Sequence, residues 1–471
     1  MSKELKEKLF KKKQCGWELL ETEEQKEAVF DISQQYMDFI NTSKTEREFM
    51  TNAKKEAIKQ GFKPIEEADP EKDNKLFLSY DNVCGALVYI KHHEFEKGFN
   101  LVAGHVDAPR LDLKQNPLYQ DSGLGLFKTH YYGGIKKYQW VTIPLALHGV
   151  VINKKEEAIN VVIGEDENDP VFTILDLLPH LGRSQMDKKA STVIGAEDLN
   201  LVIGSIPFQF KNESDSIKLN MMNILNEKYG IVEEDFVCAN LQVVPAGKAR
   251  HVGLDRSLVG AAGQDDRSCS YLGMKALFDL VNKNEELISE NLMMMFVDKE
   301  EIGSVGNSGT NSNLIQRIYN DVLNFYGVND FKILAKSLRN SKGLSSDVNA
   351  GVNPSWKGVH DLKNASPIGY GIGCLTYTGA RGKSGTSQSH PEFTRKIVNA
   401  LKKDNVAHTF VNLGAVDVGG GGTIAKFMAY WGMQVIDCGV PVLAMHSPFE
   451  ITSKVDLYMT YLAYKAFFKY L

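Results

Sequence analysis

The sequence predicts an α/β protein: a mostly parallel sheet covered by helices, with a second, mainly β domain inserted into it. Three observations carry this. Apolar runs that stop abruptly at charged or polar residues recur at 99–104 and 292–297, as strands buried in a parallel sheet do. Segments with apolar residues at helical spacing alternate with them, at 266–282, 392–403 and 455–471, which places helices on both faces of that sheet. Between about residues 115 and 249 the texture changes to short β-like runs broken by charged turns.

In chain order, the first forty residues show helical spacing through Leu9, Trp17, Leu20, Val29, Ile32, Tyr36 and Ile40. Residues 75–80 and 85–90 read as strands, and 99–104 as a strand that runs directly into His105. Inside the changed region, 139–151, 159–163 and 201–210 are β-like and 216–228 is helix-like. The α/β pattern then returns with a helix at 266–282 and a strand at 292–297. The three methionines of that strand are core packing rather than a ligand set. Helices at 392–403 and 423–431, a strand at 434–438 and a closing helix at 455–471 complete the pattern. The reading divides the chain into a discontinuous domain, 1–114 and 250–471, and an inserted domain, 115–249.

The chain has 471 residues, 43% of them hydrophobic, enough for a large core. Its 59 acidic against 54 basic residues give a net charge of −5, which excludes a generally basic nucleic-acid binder. No apolar run approaches the roughly 20 residues that span a bilayer, and residues 1–13 are rich in Lys and Glu, unlike a signal peptide. The six cysteines (15, 84, 238, 269, 374 and 438) form no Cys-x-x-Cys pair and read as free thiols. The expectation is a soluble cytoplasmic protein with neither a nucleic-acid nor a membrane partner.

Five segments place ionisable groups at predicted strand ends, where open α/β sheets build their sites. They are 104–107 (Gly-His-Val-Asp), 263–267 (Gly-Gln-Asp-Asp-Arg), 298–304 (Asp-Lys-Glu-Glu-Ile-Gly-Ser), 345–348 (Ser-Ser-Asp-Val) and 445–450 (Met-His-Ser-Pro-Phe-Glu). Two histidines with several carboxylates suit a pair of divalent ions, since carboxylates bridge two metals and neutralise them. Two ions about 3.5–4 Å apart acidify a water and polarise a carbonyl. A spare carboxylate must then take the water's proton, and Glu300 beside Glu301 offers one ligand and one base, diverging if the segment is extended. Each segment alone is weak, because the Asp-Asp-Arg run is equally a helix cap. The joint pattern carries the weight.

In this order the segments resemble the aspartyl aminopeptidase family of metallo-aminopeptidases, which includes the vacuolar aminopeptidases. The resemblance runs from about residue 103 to 450 and is most specific at 443–448 (Leu-Ala-Met-His-Ser-Pro). It implies a sheet of the zinc-peptidase type and a co-catalytic two-metal aminopeptidase with a metal-bridging hydroxide as nucleophile. His105 is then a metal ligand with Asp107 orienting it, and Asp265 bridges both ions with Asp266 beside it in a strained turn. Which of the two aspartates bridges stays open. Glu300 is implied as general base and Glu301 as terminal ligand, while Asp347 and His446 complete the two shells. Zinc is the expected ion, with cobalt or manganese as alternatives.

The resemblance further implies that the inserted domain dimerises, that dimers build a dodecamer, and that its segment 178–183 (Leu-Pro-His-Leu-Gly-Arg) sends His180 to a partner's oxyanion. The glycine run 418–424, with Gly420, resembles a loop near the family's site, and its amides suit a carbonyl or carboxylate. It lacks a P-loop's Gly-Lys-Ser/Thr ending, which disfavours nucleotides. Arg381 and Lys383, in the loop 377–385, are candidates for an acidic side chain or peptide carboxylate, or are plain surface. His390 before Pro391 marks a helix start. The expected substrates are peptides with a free N-terminus, the preferred residue, acidic or neutral, being open. Two rivals stand: another amide hydrolase on this scaffold, such as a carboxypeptidase or deacylase, and a metal-stabilised assembly protein without activity.

Overall fold

Seven apolar segments form most of a nine-stranded sheet: β1 (Lys75–Tyr80), β2 (Cys84–Tyr89), β3 (Phe99–His105), β4 (Asn291–Val297), β5 (Lys342–Ser345), β6 (Ile372–Leu375) and β7 (Gln434–Gly439). The computed structural model describes residues 2–211 and 213–471; Met1 and Asn212, inside the bounds 1–114 and 115–249, lie outside it. The spatial order is β1-β2-β4-β3-β5-β7-β6, with the short strands Lys63–Pro64 and His408–Phe410 at the edges. The central four, β4-β3-β5-β7, are parallel. β2 joins β4, and β6 joins β7, antiparallel, so the sheet is parallel at its centre and mixed at its flanks.

The alternation of β4 sets the two layers. Met294 and Phe296 face α1 (Glu23–Asn41), α2 (Glu46–Lys59), α3 (Gln264–Lys283), α6 (Pro391–Lys403) and α7 (Lys454–Tyr470). Met293 and Met295 face α4 (Leu314–Phe325) and α5 (Phe331–Asn340). All three methionines are fully buried, and each such side chain stabilises the fold by about 1.5–3 kcal/mol. Capping boxes at Thr22 with Gln25 and at Thr45 with Glu48 start α1 and α2. No helix among the described residues is long and apolar enough to cross a membrane.

Residues 110–245 build a seven-stranded antiparallel sheet with its own core. Its longest pair, Arg110–Asp121 with Leu124–Tyr132, leaves β3 almost directly. Several local expectations are corrected. The run 139–151 is strand only from Leu145, and 201–210 is strand only to Gly204, with Phe208–Phe210 in a 3-10 turn. The helix expected at 423–431 is confined to Ala425–Ala429, because Thr423 is drawn aside by a side-chain bond to Asp437. A third, five-stranded sheet (Arg250–Val252, Leu258–Ala261, Glu450–Ser453, Pro441–Leu443, Asn349–Ala350) supports the site from below.

The two larger bodies meet at a buried polar junction. His148, on Leu145–Ile152, lies between two carboxylates: Nδ1 is 2.8 Å from Glu48 Oε1 and Nε2 is 3.0 Å from Glu165 Oε1. Lys44 Nζ joins Glu165 at 2.5 Å and donates to the carbonyls of Pro245 and Gly247. With an acceptor on each ring nitrogen, the imidazole is held doubly protonated. Burial pulls its pKa down, but Glu165 and Glu48 outweigh that and raise it above 6.5. A group whose pKa rises on folding stabilises fully below its unfolded value and loses that stabilisation as pH climbs through the folded one. His148→Gln is therefore expected to cost about 2 kcal/mol at pH 6 and progressively less towards pH 9, read as the gap in thermal midpoint between variant and parent.

Candidate metal centre

The parallel register stops three strands at one edge. Val297 pairs with His105 and Ser345 with Ala103, so His105 ends β3, Glu300 and Glu301 follow β4, and Asp347 follows β5. The first turn of α3 adds Asp265 and Asp266, and the five-stranded sheet delivers His446 and Glu450. Gly104 is required by this convergence, since a Cβ there would lie 2.5–2.8 Å from Ser270 Oγ, Ser346 Oγ and Asp266 Oδ2.

The five residues read as ligands come together. Ligand atoms of His105, Asp265 and Glu301 lie within 4.8 Å of one another, and so do those of His105, Glu300 and Asp347. His105 Nε2 is 3.2 Å from Asp265 Oδ1 and 3.9 Å from Asp347 Oδ1. His446 Nε2 is 3.1 Å from Asp265 Oδ2 and 3.5 Å from Glu301 Oε1. Asp265 thus turns one oxygen to each imidazole. Asp266 makes no ion pair with either imidazole among the described residues and is in neither group of ligand atoms; the Asp265–Asp266 peptide is cis.

Glu300 and Glu301 do not lie on an extended segment. They occupy a 3-10 turn between Lys299 and Gly303, both at positive φ. Asp107 shapes that turn: its carboxylate accepts the Glu300 N–H at 3.1 Å, the Glu301 N–H at 3.2 Å and the Tyr132 hydroxyl at 2.8 Å. The same residue meets His105 Nδ1 through its carbonyl at 3.0 Å and its carboxylate at 3.3 Å. His446 Nδ1 is 2.9 Å from the Gly134 carbonyl. In each histidine Nδ1–H is committed, which leaves Nε2 available to coordinate an ion.

Sequence reasoning overlooked three of these positioning groups. Glu450 accepts the backbone N–H of Gln264 at 2.6 Å, Asp265 at 3.2 Å and His446 at 2.7 Å, fixing a carboxylate and an imidazole from separate segments. Tyr132 and Gly134 belong to a hairpin whose sequence carries no sign of the site.

The electrostatics call for cations. Burial pushes Glu300 up to about 7 and Glu450 up to about 8, and pushes Glu301, Asp347 and Asp266 well above the carboxylate range. Burial pulls His446 down, yet Asp265 and Glu301 raise it to about 10. Buried Asp265 Oδ1 and Glu301 Oε1 have no hydrogen-bond partner. Two imidazole nitrogens among crowded carboxylate oxygens form a donor set that fits zinc.

The pocket at this centre holds about 250 Å³ and is lined by Asp265, Glu300, Glu301, Asp347 and His446 on one side. Leu375, Leu413, Asp437 and the backbone of Gly420–Gly422 form much of the rest. Arg381 and Lys383 are exposed and do not line it; Lys383 Nζ sits 3.8 Å over the Tyr377 ring. His180 is exposed on the antiparallel body, outside this pocket, and His390 caps α6.

An α/β sheet whose strand ends gather such donors around a pocket is the frame of a metal-dependent hydrolase. A family model described as aminopeptidase I zinc metalloprotease (M18) matches residues 39–468. "Probable M18 family aminopeptidase 1" of Clostridium acetobutylicum is 45% identical over 464 residues, 98% of this chain and 98% of that protein. The crystal structure of an M18 aminopeptidase from Thermotoga maritima matches with a TM-score of 0.92 at 42% identity, covering 98% of this chain and 100% of the other. The mApe1 of S. cerevisiae, solved as a dodecamer, shares the fold at a TM-score of 0.74 and 20% identity over 93% of this chain and 96% of that one. The chain belongs to the M18 aminopeptidase family and is a metallo-aminopeptidase.

Because Asp107 orients both His105 and the Glu300–Glu301 turn, Asp107→Asn is expected to weaken zinc affinity by roughly 10–100-fold with the fold intact. Zinc retained against graded chelator, alongside the circular dichroism spectrum, checks this.

Proposed function

We propose that the cluster holds two divalent ions, zinc foremost, and that the protein removes the N-terminal residue of peptides. The observation that carries this reading is the carboxylate of Asp265, whose two oxygens face two imidazoles from opposite sides. Asp265 rather than Asp266 is then the bridge, His105 with Asp347 and His446 with Glu301 being the outer ligands. Such ions, when bound, supply an acidified water and polarise the peptide carbonyl. Glu300, half-buried at the pocket wall and pushed up to about 7, accepts the water's proton and returns it to the leaving nitrogen. Gly420–Gly422 line the same pocket, and their backbone suits the peptide main chain. Arg381 and Lys383, away from the pocket wall, serve at most at its outer approach.

The domain division 1–114 with 250–471 against 115–249 belongs to this reading, with the inserted domain as the dimerising one. His180 stands among exposed Leu175, Leu177, Leu178, Leu181 and Met186, an apolar surface suited to a second copy, from which it would reach the partner's oxyanion. A dodecamer like that of the yeast relative follows. The free cysteines agree with a reducing compartment, the cytoplasm.

Glu300→Gln is expected to keep its metal and its assembly but to lose about 10²–10⁴-fold in turnover; metal analysis, size and peptide assay together check it. Turnover of free-amine peptides with no turnover of N-blocked ones separates an aminopeptidase from a deacylase or carboxypeptidase.

A further inference from the structure

One stretch of the pocket lining is bare backbone, Gly420–Gly422, and it is fastened at both ends. Gly421 O accepts the Gly379 N–H at 2.6 Å. Gly420 lies so close to that neighbouring loop that a Cβ would stand 2.3 Å from Gly379 O. At the far end of the run, Thr423 donates its hydroxyl to Asp437 Oδ1 at 2.6 Å, and its oxygen accepts the Ala425 N–H at 3.3 Å.

Asp437 is unusual. It is 3% exposed, sits on β7 directly opposite Ser345 of β5, and lines the pocket, yet it is outside both groups of metal-binding side chains. Burial pushes its carboxyl up to about 6. No charged side chain is among the groups that shift it. A buried carboxyl without a counter-charge costs stability unless hydrogen bonds offset its lost hydration. Two hydroxyls partner it: that of Ser345 beside it in the sheet and that of Thr423 at the root of the glycine wall.

We propose that Asp437 is a positioning residue: through the Thr423 hydroxyl it anchors the Gly420–Gly422 backbone where its N–H groups meet the main chain of a bound peptide. This rests on the reading of the pocket as a peptide site, and it assigns the wall to substrate holding rather than to chemistry. The groups proposed for metal and proton transfer sit on other segments of the pocket lining, at 265, 300–301, 347 and 446, so loosening the anchor should change how peptide is held and leave the metal centre as it is.

The test compares wild type, Thr423→Val, Asp437→Asn and the double variant in turnover of an unblocked tripeptide amide, with zinc content and thermal midpoint measured on each. The expected result is a KM raised by about ten-fold in each single variant, the order of one charge-assisted hydrogen bond. kcat should stay within about two-fold and zinc should be unchanged. The double variant should be no worse than the poorer single one, because both changes remove one interaction, and Thr423→Ser should restore KM. Unchanged KM, additive losses, or a fall of kcat and zinc together would overturn the proposal. Should Asp437→Asn fail to fold, Thr423→Val, equal in volume and only partly buried, decides alone. A wild type that cleaves no unblocked peptide would defeat the peptidase reading itself, an outcome distinct from any pattern among the variants.

Discussion

The parallel register of β4, β3 and β5 is the constraint on which the rest depends. It places Val297 beside His105 and Ser345 beside Ala103, so that ligands from three distant segments leave the sheet at one edge. A slip of one residue in β3 would turn His105 to the opposite face. Register is strongly specified here because both faces are buried: Met293 and Met295 belong to one core, Met294 and Phe296 to the other. The apolar interior thus determines the polar site.

At that edge the problem inverts. Carboxyl groups crowd two imidazoles where water is largely excluded, and like charges at such separations oppose one another strongly. The structure answers with fixed dipoles before any cation is considered. Asp107 and Glu450 each collect backbone N–H groups from the segments bearing the candidate ligands, and His105 and His446 each have Nδ1 occupied. The donors are oriented by the chain itself, which is what preorganisation of a metal site requires.

Much of this was legible in the sequence, for a physical reason. A buried strand that ends in charge is conspicuous in linear text, and His105, Glu300, Glu301 and Asp347 all announce themselves that way. The conformation of the Glu300–Glu301 segment was not legible, because the 3-10 turn is imposed by Asp107, almost two hundred residues away in the chain. The helix at 425–429 is shorter than its pattern for a similar reason: Thr423 answers to Asp437 rather than to helical propensity. Glu450 stood within a motif, but its three backbone partners could be found only in three dimensions. Tyr132 and Gly134 had no local signal at all.

Those last two residues change what the antiparallel body is. Tyr132 donates to Asp107, its ring lies 3.9 Å from the Arg110 guanidinium, and the Gly134 carbonyl sets the tautomer of His446. Both imidazoles are therefore steadied from a segment that a domain map assigns to the insertion. Excising that segment and sealing the gap would not yield a smaller working hydrolase. It would leave a sheet with its donors present and unaimed, so the insertion and the catalytic scaffold are, in engineering terms, one indivisible part.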